Sequence, residues 1–168
     1  MSITIGVDPG KTGAVALLDS YGALVAIHDM PLAGGDVSPH LLANLEDWRN
    51  NSNPGGDFDN PGVGAFDVAV IEDVHSMPKQ GVASSFGFGR SKGVAEGVFA
   101  GAGLRLVYVA PSTWKRALGL TKDKDACRRR AIELWPAHCK LFARVKDDGR
   151  AEAALIAWWH HRYGAVTK

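Results

Sequence analysis

Cysteine is scarce, long apolar runs are missing, and basic residues are few in the first half of this chain. Each shortage excludes something. Cys127 and Cys139 are the only cysteines in 168 residues, and no CxxC spacing joins them. That is too few for a disulfide-stapled scaffold, and the expectation is reduced thiols in a cytoplasmic protein. His138 beside Cys139 is one pair of ligand types, short of a zinc site. No apolar stretch approaches the roughly 20 residues of a membrane span, and no charged segment followed by an apolar one opens the chain. No membrane role is expected. Internal repeats are missing too.

What is present suffices for a core. Hydrophobic residues make up 46% of the sequence, which suits one globular domain over residues 1–168. Ser52 to Gly64 (SNPGGDFDNPGVG) has no periodicity and reads as a flexible loop within that domain. Residues 1–80 carry three Lys or Arg against eleven Asp or Glu, whereas residues 81–168 carry sixteen against seven. The net charge of +1 therefore hides an acidic half and a basic half. Such polarity points to an acidic site on one side and a surface facing a polyanion on the other.

The organising stretch is ITIGVDPGKTGAVALLD, Ile3 to Asp19. Ile3, Ile5 and Val7 alternate with Thr4 and Gly6, the period-two signal of a core strand. The strand ends on Asp8, and Pro9 to Gly13 reads as a tight turn into a second short strand, Ala14 to Leu18. A carboxylate closing a buried strand needs a cation or hydrogen bonds; an Asx turn before Pro9 is the plainer role. Gly10-Lys11-Thr12 ends like a P-loop, but that spacing needs glycine where Ile5 stands and a helix where a strand follows. A P-loop is excluded.

Further along, Leu24 to Met30 predicts a third strand. Ser38 and Pro39 predict the start of a helix running through Leu41, Leu42, Leu45 and Trp48. Phe66 to Val74 predicts a central strand ending on a second acid, Glu72. Most of Gly81 to Gly103 reads as a glycine-weakened helix, and Leu104 to Val109 as a fifth strand. Ser112-Thr113 opens a short helix with Trp114, Lys115 and Leu118. Asp123 or Asp125 opens another that ends near Pro136, and Asp147 or Asp148 opens the last, through Trp159. Three strands, helix, strand, helix, strand and helices suit an α/β fold: a mixed sheet flanked by helices.

Asp8 and Glu72 close two strands that can lie side by side, while Asp148 and Glu152 stand four apart on one helical face. Carboxylates converging from three elements repel, and burial worsens it. Hard divalent cations resolve this, since Mg²⁺ prefers carboxylate oxygen, and two ions about 4 Å apart can activate water at a phosphodiester. Taken singly, Asp148 reads as a helix cap and Glu152 as a solvated charge paired with Arg150 or Arg144. The small residues Gly149, Ala151, Ala153 and Ala154 would let that helix approach the sheet closely. Asp73 points away from the cluster, and Asp147 is the understudy to Asp148.

Four stretches then carry a resemblance: IGVDPGKTGAVALLD, VIEDVHSMPKQGVASSFGFGRSKGVAEGV, PSTWKRALGL and DDGRAEAALIA. In that order they resemble the RuvC-like Holliday-junction resolvases, especially their phage-type branch. The resemblance implies an RNase H-like fold, with a mixed five-stranded sheet flanked by helices. It also implies a homodimer and Mg²⁺-dependent cutting of four-way DNA junctions, with two ions and Mn²⁺ as the alternative. By position it makes Asp8, Glu72, Asp148 and Glu152 the metal ligands and catalytic acids. Lys115 and Lys124 fall near lysines that the family places beside the scissile phosphate, so Lys124 joins the catalytic set. Two departures stand out. Glu152 replaces the usual aspartate of bacterial members, and His75 stands where they carry an aromatic wedge; Met77, Phe86 or Phe88 is the substitute, although both phenylalanines read first as core.

Lys115, Arg116, Lys122, Lys124, Arg128, Arg129 and Arg130 crowd into one segment. Lys115, Arg116, Lys122, Lys124 and Arg128 are the expected nucleic-acid contacts, with salt-sensitive affinity from counterion release. Two of the three consecutive arginines should be plain solvated charges. Trp114 reads as a packing anchor before a base-stacking platform. The competing readings are a nuclease for RNA–DNA hybrids or other branched DNA, and a non-catalytic junction-binding protein. An actin-like kinase, which shares the first turn, needs two domains.

Overall fold

A computed structural model describes residues 3–45, 68–74, 81–121, 123 and 125–164. Strand β1 (Thr4–Asp8) pairs antiparallel with β2 (Ala14–Leu18), which pairs antiparallel with β3 (Leu24–Asp29). A two-residue hairpin follows, β4 (Leu32–Ala33) and β5 (Asp36–Val37). Its turn is Gly34-Gly35 with φ of 61° and 81°, the mirror-image turn that glycine pairs favour. This hairpin was not among the expected elements, although the glycine pair signals it.

Ser38 caps α1 (Pro39–Ala43), its hydroxyl accepting from the Leu41 N–H at 3.3 Å. The helix ends at Asn44, so Leu45 lies beyond it, contrary to the helical spacing that linked them; Trp48 falls outside the described residues. Strand β6 (Val68–Glu72) then runs parallel to β1, and β7 (Arg105–Val109) parallel to β6. Between them lies α2 (Val82–Gly101). Helix α3 (Pro111–Ala117) starts one residue earlier than expected because proline suits the first helical position. Helix α4 (Ala126–Leu134), two short 3₁₀ segments (Pro136–Phe142 and Val145–Asp147) and α5 (Asp148–Tyr163) follow among the described residues.

The sheet order is β3-β2-β1-β6-β7, a mixed five-stranded sheet flanked by helices, as the sequence implied. This is an RNase H-like fold. Alternation in the strands divides the core. Ile5, Val7, Ala69 and Ile71 pack with Phe99 and Ala95 of α2 and Leu42 of α1, while Val68 and Val70 face Trp114 and the alanines of α5 on the other side. Gly6 and Asp8 share that second face with Val70 and Glu72. Loop residues 52–64, together with Phe66, His75 and Met77, lie outside the described residues.

Helix α5 lies across β1 and β2 at backbone contact. A Cβ at Gly6 would sit 2.0 Å from the Ala153 carbonyl oxygen and 2.6 Å from the Ala157 nitrogen. A Cβ at Gly149 would sit 2.4 Å from the Thr12 carbonyl oxygen. Small residues on both partners are what permit this, as the alanine-rich face suggested. Gly6→Ala should therefore lower stability by about 2–3 kcal/mol, because two backbones must move apart. Gly93 of α2 meets nothing within 4 Å, so Gly93→Ala should be neutral or gain up to about 1 kcal/mol. Urea titration of both variants checks this; equal midpoints would show that the contact at Gly6 relaxes freely.

Candidate active site

Strands β1, β6 and β7 are parallel neighbours, so their carboxyl ends open on one edge, where ligands of α/β sheets commonly bind. Val7 pairs with Ile71, and the same register carried one residue on sets Asp8 beside Glu72. Glu72 is buried, at 5% exposure. One Asp8 oxygen accepts the Gly10 N–H at 3.2 Å, so the plain Asx-turn role is real. It leaves the carboxylate facing the cluster.

Burial raises the Asp8 pKa to about 6, and the negative charge of Glu152 adds to the rise. Burial likewise raises Glu72 to about 7, partly offset by a hydrogen bond from the Trp114 indole and reinforced by Glu152 and Asp8. That bond, Trp114 Nε1–H to Glu72 Oε1 at 2.9 Å, was missed in sequence. Trp114 is fully buried, as a packing anchor should be, yet it also aims one of the acids. Only the cue that a buried tryptophan N–H needs an acceptor could have found it.

From α3, Lys115 reaches across and donates to Glu152 Oε1 at 2.6 Å. Burial alone would lower the lysine pKa, but the hydrogen bond and charge of Glu152 outweigh it and the net shift is upward. The Cys127 thiol lies 3.8 Å from the same oxygen, and burial with the Glu152 charge pushes it up to about 12. Glu152 is thus not paired with Arg150 or Arg144. Arg150 grips Asp29 at 2.6 and 2.7 Å. Arg144 holds Asp147, which is 1% exposed and kept low by that hydrogen bond. The Asp147 carboxylate also accepts the Arg144 backbone N–H, closing the 3₁₀ turn before α5.

Asp148 lines the same groove as Asp8 and Glu152, a cleft of about 1150 Å³ that also includes Lys115, Arg116 and Lys146. Its Oδ1 lies 2.8 Å from Nε of Arg128. Arg128, expected on the DNA path, is only 11% exposed and also pairs with Asp125 and the Ala143 carbonyl. Its guanidinium faces inward. Arg129 pairs with Asp123 and Arg130 with Glu133, so both are surface ion pairs. Arg116 is exposed at the groove. Lys122 and Lys124 lie outside the described residues. Asp73 binds Lys92 at 2.5 Å, away from the cluster, as its parity required.

Among the described residues no three Asp, Glu, His or Cys side chains converge on one metal position. Glu152 is drawn to Lys115 and Asp148 to Arg128. The donor chemistry nevertheless fits a hard cation: the adjacent carboxylates of Asp8 and Glu72 are raised in pKa by burial and by the negative charge of Glu152, and the buried Asp148 Oδ1 has no well-aligned donor.

No family model matches this chain, and no curated protein matches it in sequence. Its fold does match solved structures. A structure of Thermus thermophilus RuvC in complex with Holliday junction substrate aligns with a TM-score of 0.65 at 15% identity, covering 99% of this chain and 97% of that one. A second Thermus thermophilus RuvC structure aligns at 0.59 with 14% identity and 96% of both chains. The class defined is therefore an α/β protein with a mixed five-stranded sheet and a carboxylate-lined cleft. More particularly, it has the fold of RuvC over nearly its full length.

The raised acids give a signed prediction. Folded Asp8 and Glu72 keep protons that the unfolded chain releases near pH 4, so metal-free stability should fall as pH rises from about 4 to 7. Asp8→Asn or Glu72→Gln should remove that loss, stabilising the protein at pH 8 by on the order of 2 kcal/mol and by almost nothing below pH 4. Denaturation in EDTA at several pH values measures it, and no gain at pH 8 would show that the two acids are well solvated.

Proposed function

We propose that this chain is a metal-dependent, structure-selective endonuclease that cuts four-way DNA junctions by phosphodiester hydrolysis. On this reading it is a Holliday-junction resolvase of the phage-type RuvC-like branch, working in recombination and repair as a homodimer with one site for each cut strand. The carrying observation is the pair Asp8 and Glu72 on adjacent parallel strand ends, with Asp8 lining a groove alongside Asp148, Glu152, Lys115, Arg116 and Lys146 and Glu72 buried beside it within the field of Glu152. A RuvC fold around that groove supports the same conclusion.

Asp8, Glu72, Asp148 and Glu152 are the residues that would hold two Mg²⁺ ions, or Mn²⁺, which would supply an activated water and stabilise the leaving oxygen. The rest falls to the chain. Trp114 fixes one oxygen of Glu72 through its indole N–H. Lys115, within reach of the groove, holds Glu152 and offers an ammonium to a scissile phosphate. Arg116 and Lys146 give the groove a positive wall that draws in the DNA backbone. Lys122 and Lys124 belong to the same basic segment.

Opening the junction needs an aromatic or apolar wedge. Phe86, read in sequence as core, is 74% exposed on the first turns of α2, with Val82 beside it at 87%. Arg90, one turn on, meets Asp36, which also meets Lys11 of the turn after Asp8. On this reading the exposed Phe86, at the start of the helix that follows β6, would stack on a displaced base.

The test is nicking of matched four-way junction, flap, RNA–DNA hybrid and duplex substrates with Mg²⁺ titrated. Asp8→Asn and Glu72→Gln should each lose more than about 100-fold in rate, the upper range for losing a mere supporting partner of a metal ligand. Asp148→Asn should fail, Glu152→Gln weaken badly and Glu152→Asp retain part, while the folded fraction of Asp147→Asn cuts normally. Preference for the hybrid would move the reading to a hybrid nuclease. Binding without any cutting would leave a junction-binding protein.

Two binding measurements accompany it. Arg116→Ala should flatten the dependence of junction affinity on salt by about one unit, the release expected for one phosphate contact. Phe86→Ala should slow cutting of a fully paired junction far more than of one with mismatches already open at its centre. Equal slowing on both would remove Phe86 from the opening step.

A further inference from the structure

We infer that Arg128 is a positioning residue that holds Asp148 in reserve on the first turn of α5, to be released when a divalent cation takes the carboxylate. This rests on the metal-dependent reading above and deepens it.

The contact has unusual character. Arg128 Nε and Asp148 Oδ1 are 2.8 Å apart and both atoms are buried, yet the contact lies off the line of a well-directed hydrogen bond. A guanidinium and a carboxylate free to adjust normally settle into parallel N–H···O bonds. Here the arginine is fixed from elsewhere: one Nη donates to the Asp125 carboxylate and the other to the Ala143 carbonyl at 3.2 Å. Asp148 is thus held by charge and one poorly directed contact, short of the paired, parallel bonds of a settled guanidinium–carboxylate pair.

The consequence is an asymmetric exchange. When the Asp148 carboxylate, already on the groove wall, turns from Arg128 toward Asp8 and Glu152, Arg128 keeps Asp125 and Ala143, so no buried charge is stranded. The carboxylate gains a divalent partner in place of a misaligned monovalent one. Arg128, at 11% exposure, is too enclosed to serve first as a phosphate contact, which separates this role from the one its place in the basic run suggests. Lys115 holds Glu152 at the other end of the same groove. Both α5 acids are thereby kept by cations of the chain itself.

The test is Mn²⁺ binding by the full-length protein without DNA, read from loss of the free-ion EPR signal. If Asp148 is ligand-ready only about a tenth of the time, Arg128→Gln should bind Mn²⁺ about tenfold more tightly. Arg128→Lys, which keeps the charge and loses the fork, should tighten binding by less. In an Asp148→Asn background Arg128→Gln should change nothing, which separates positioning from a general gain on removing positive charge; Arg129→Gln gives that general effect alone. Unchanged or weaker binding in Arg128→Gln, with a cooperative melt, overturns the inference. So does an Asp148-independent gain. Should Arg128→Gln not fold, Arg128→Lys decides, and wild-type affinity there overturns it. If wild type binds no Mn²⁺, the metal reading falls and the inference with it. If these shifts occur but no junction is cut, the inference stands and the nuclease reading falls.

Discussion

The approach of helix α5 to strand β1 is the constraint from which the site follows. At Gly6 the two backbones are so close that no side chain fits between them, and at Gly149 the helix start meets the turn that follows Asp8. Asp148 and Glu152 flank those contact points on the helix, so bringing α5 to this depth also brings carboxylates to the strand ends. Anything larger at Gly6 would lift the helix and open the cleft. Packing and chemistry are the same contact seen from two sides.

That closeness has an electrostatic cost. Asp8 and Glu72 share one buried edge, and each is raised in pKa by burial and by Glu152. The chain meets part of the cost with its own groups. An indole N–H holds Glu72, an ammonium holds Glu152, and a guanidinium stands against Asp148. All three come from the segment after β7, where the basic residues gather. The acidic and basic halves of the sequence meet at the carboxyl edge of the sheet, which is why a chain of nearly zero net charge carries a strongly polarised groove.

The cations of the chain itself offset the repulsion among the carboxylates of the groove. Carboxylates without such partners would repel one another and loosen α5 from β1. Paired with side chains that have other anchors, they can exchange partners without disturbing the core. Arg144 and Asp147 show the contrasting design beside it: a buried carboxylate taken up by the Arg144 backbone N–H and guanidinium across the 3₁₀ turn before α5.

Much of the fold was legible because it depends on short-range pattern. Alternation marked β1 and short apolar runs the other main strands, and Ser38-Pro39 and Pro111 mark helix starts that local chemistry explains. Strand parity put Asp8 and Glu72 on one face and Asp73 on the other. Helical spacing put Asp148 and Glu152 together, and the alanines foretold close packing. What sequence could not decide is which opposite charge each residue would meet, since pairings such as Trp114 with Glu72, Lys115 with Glu152 and Arg128 with Asp148 join residues brought together only by the fold. Arg128 through Arg130 look alike in sequence, yet one turns inward and two sit in surface pairs. Phe86 looks like core and is exposed because α2 buries only the stripe through Ser91, Ala95 and Phe99. Periodicity fixes which residues share a face; only tertiary packing decides what that face meets.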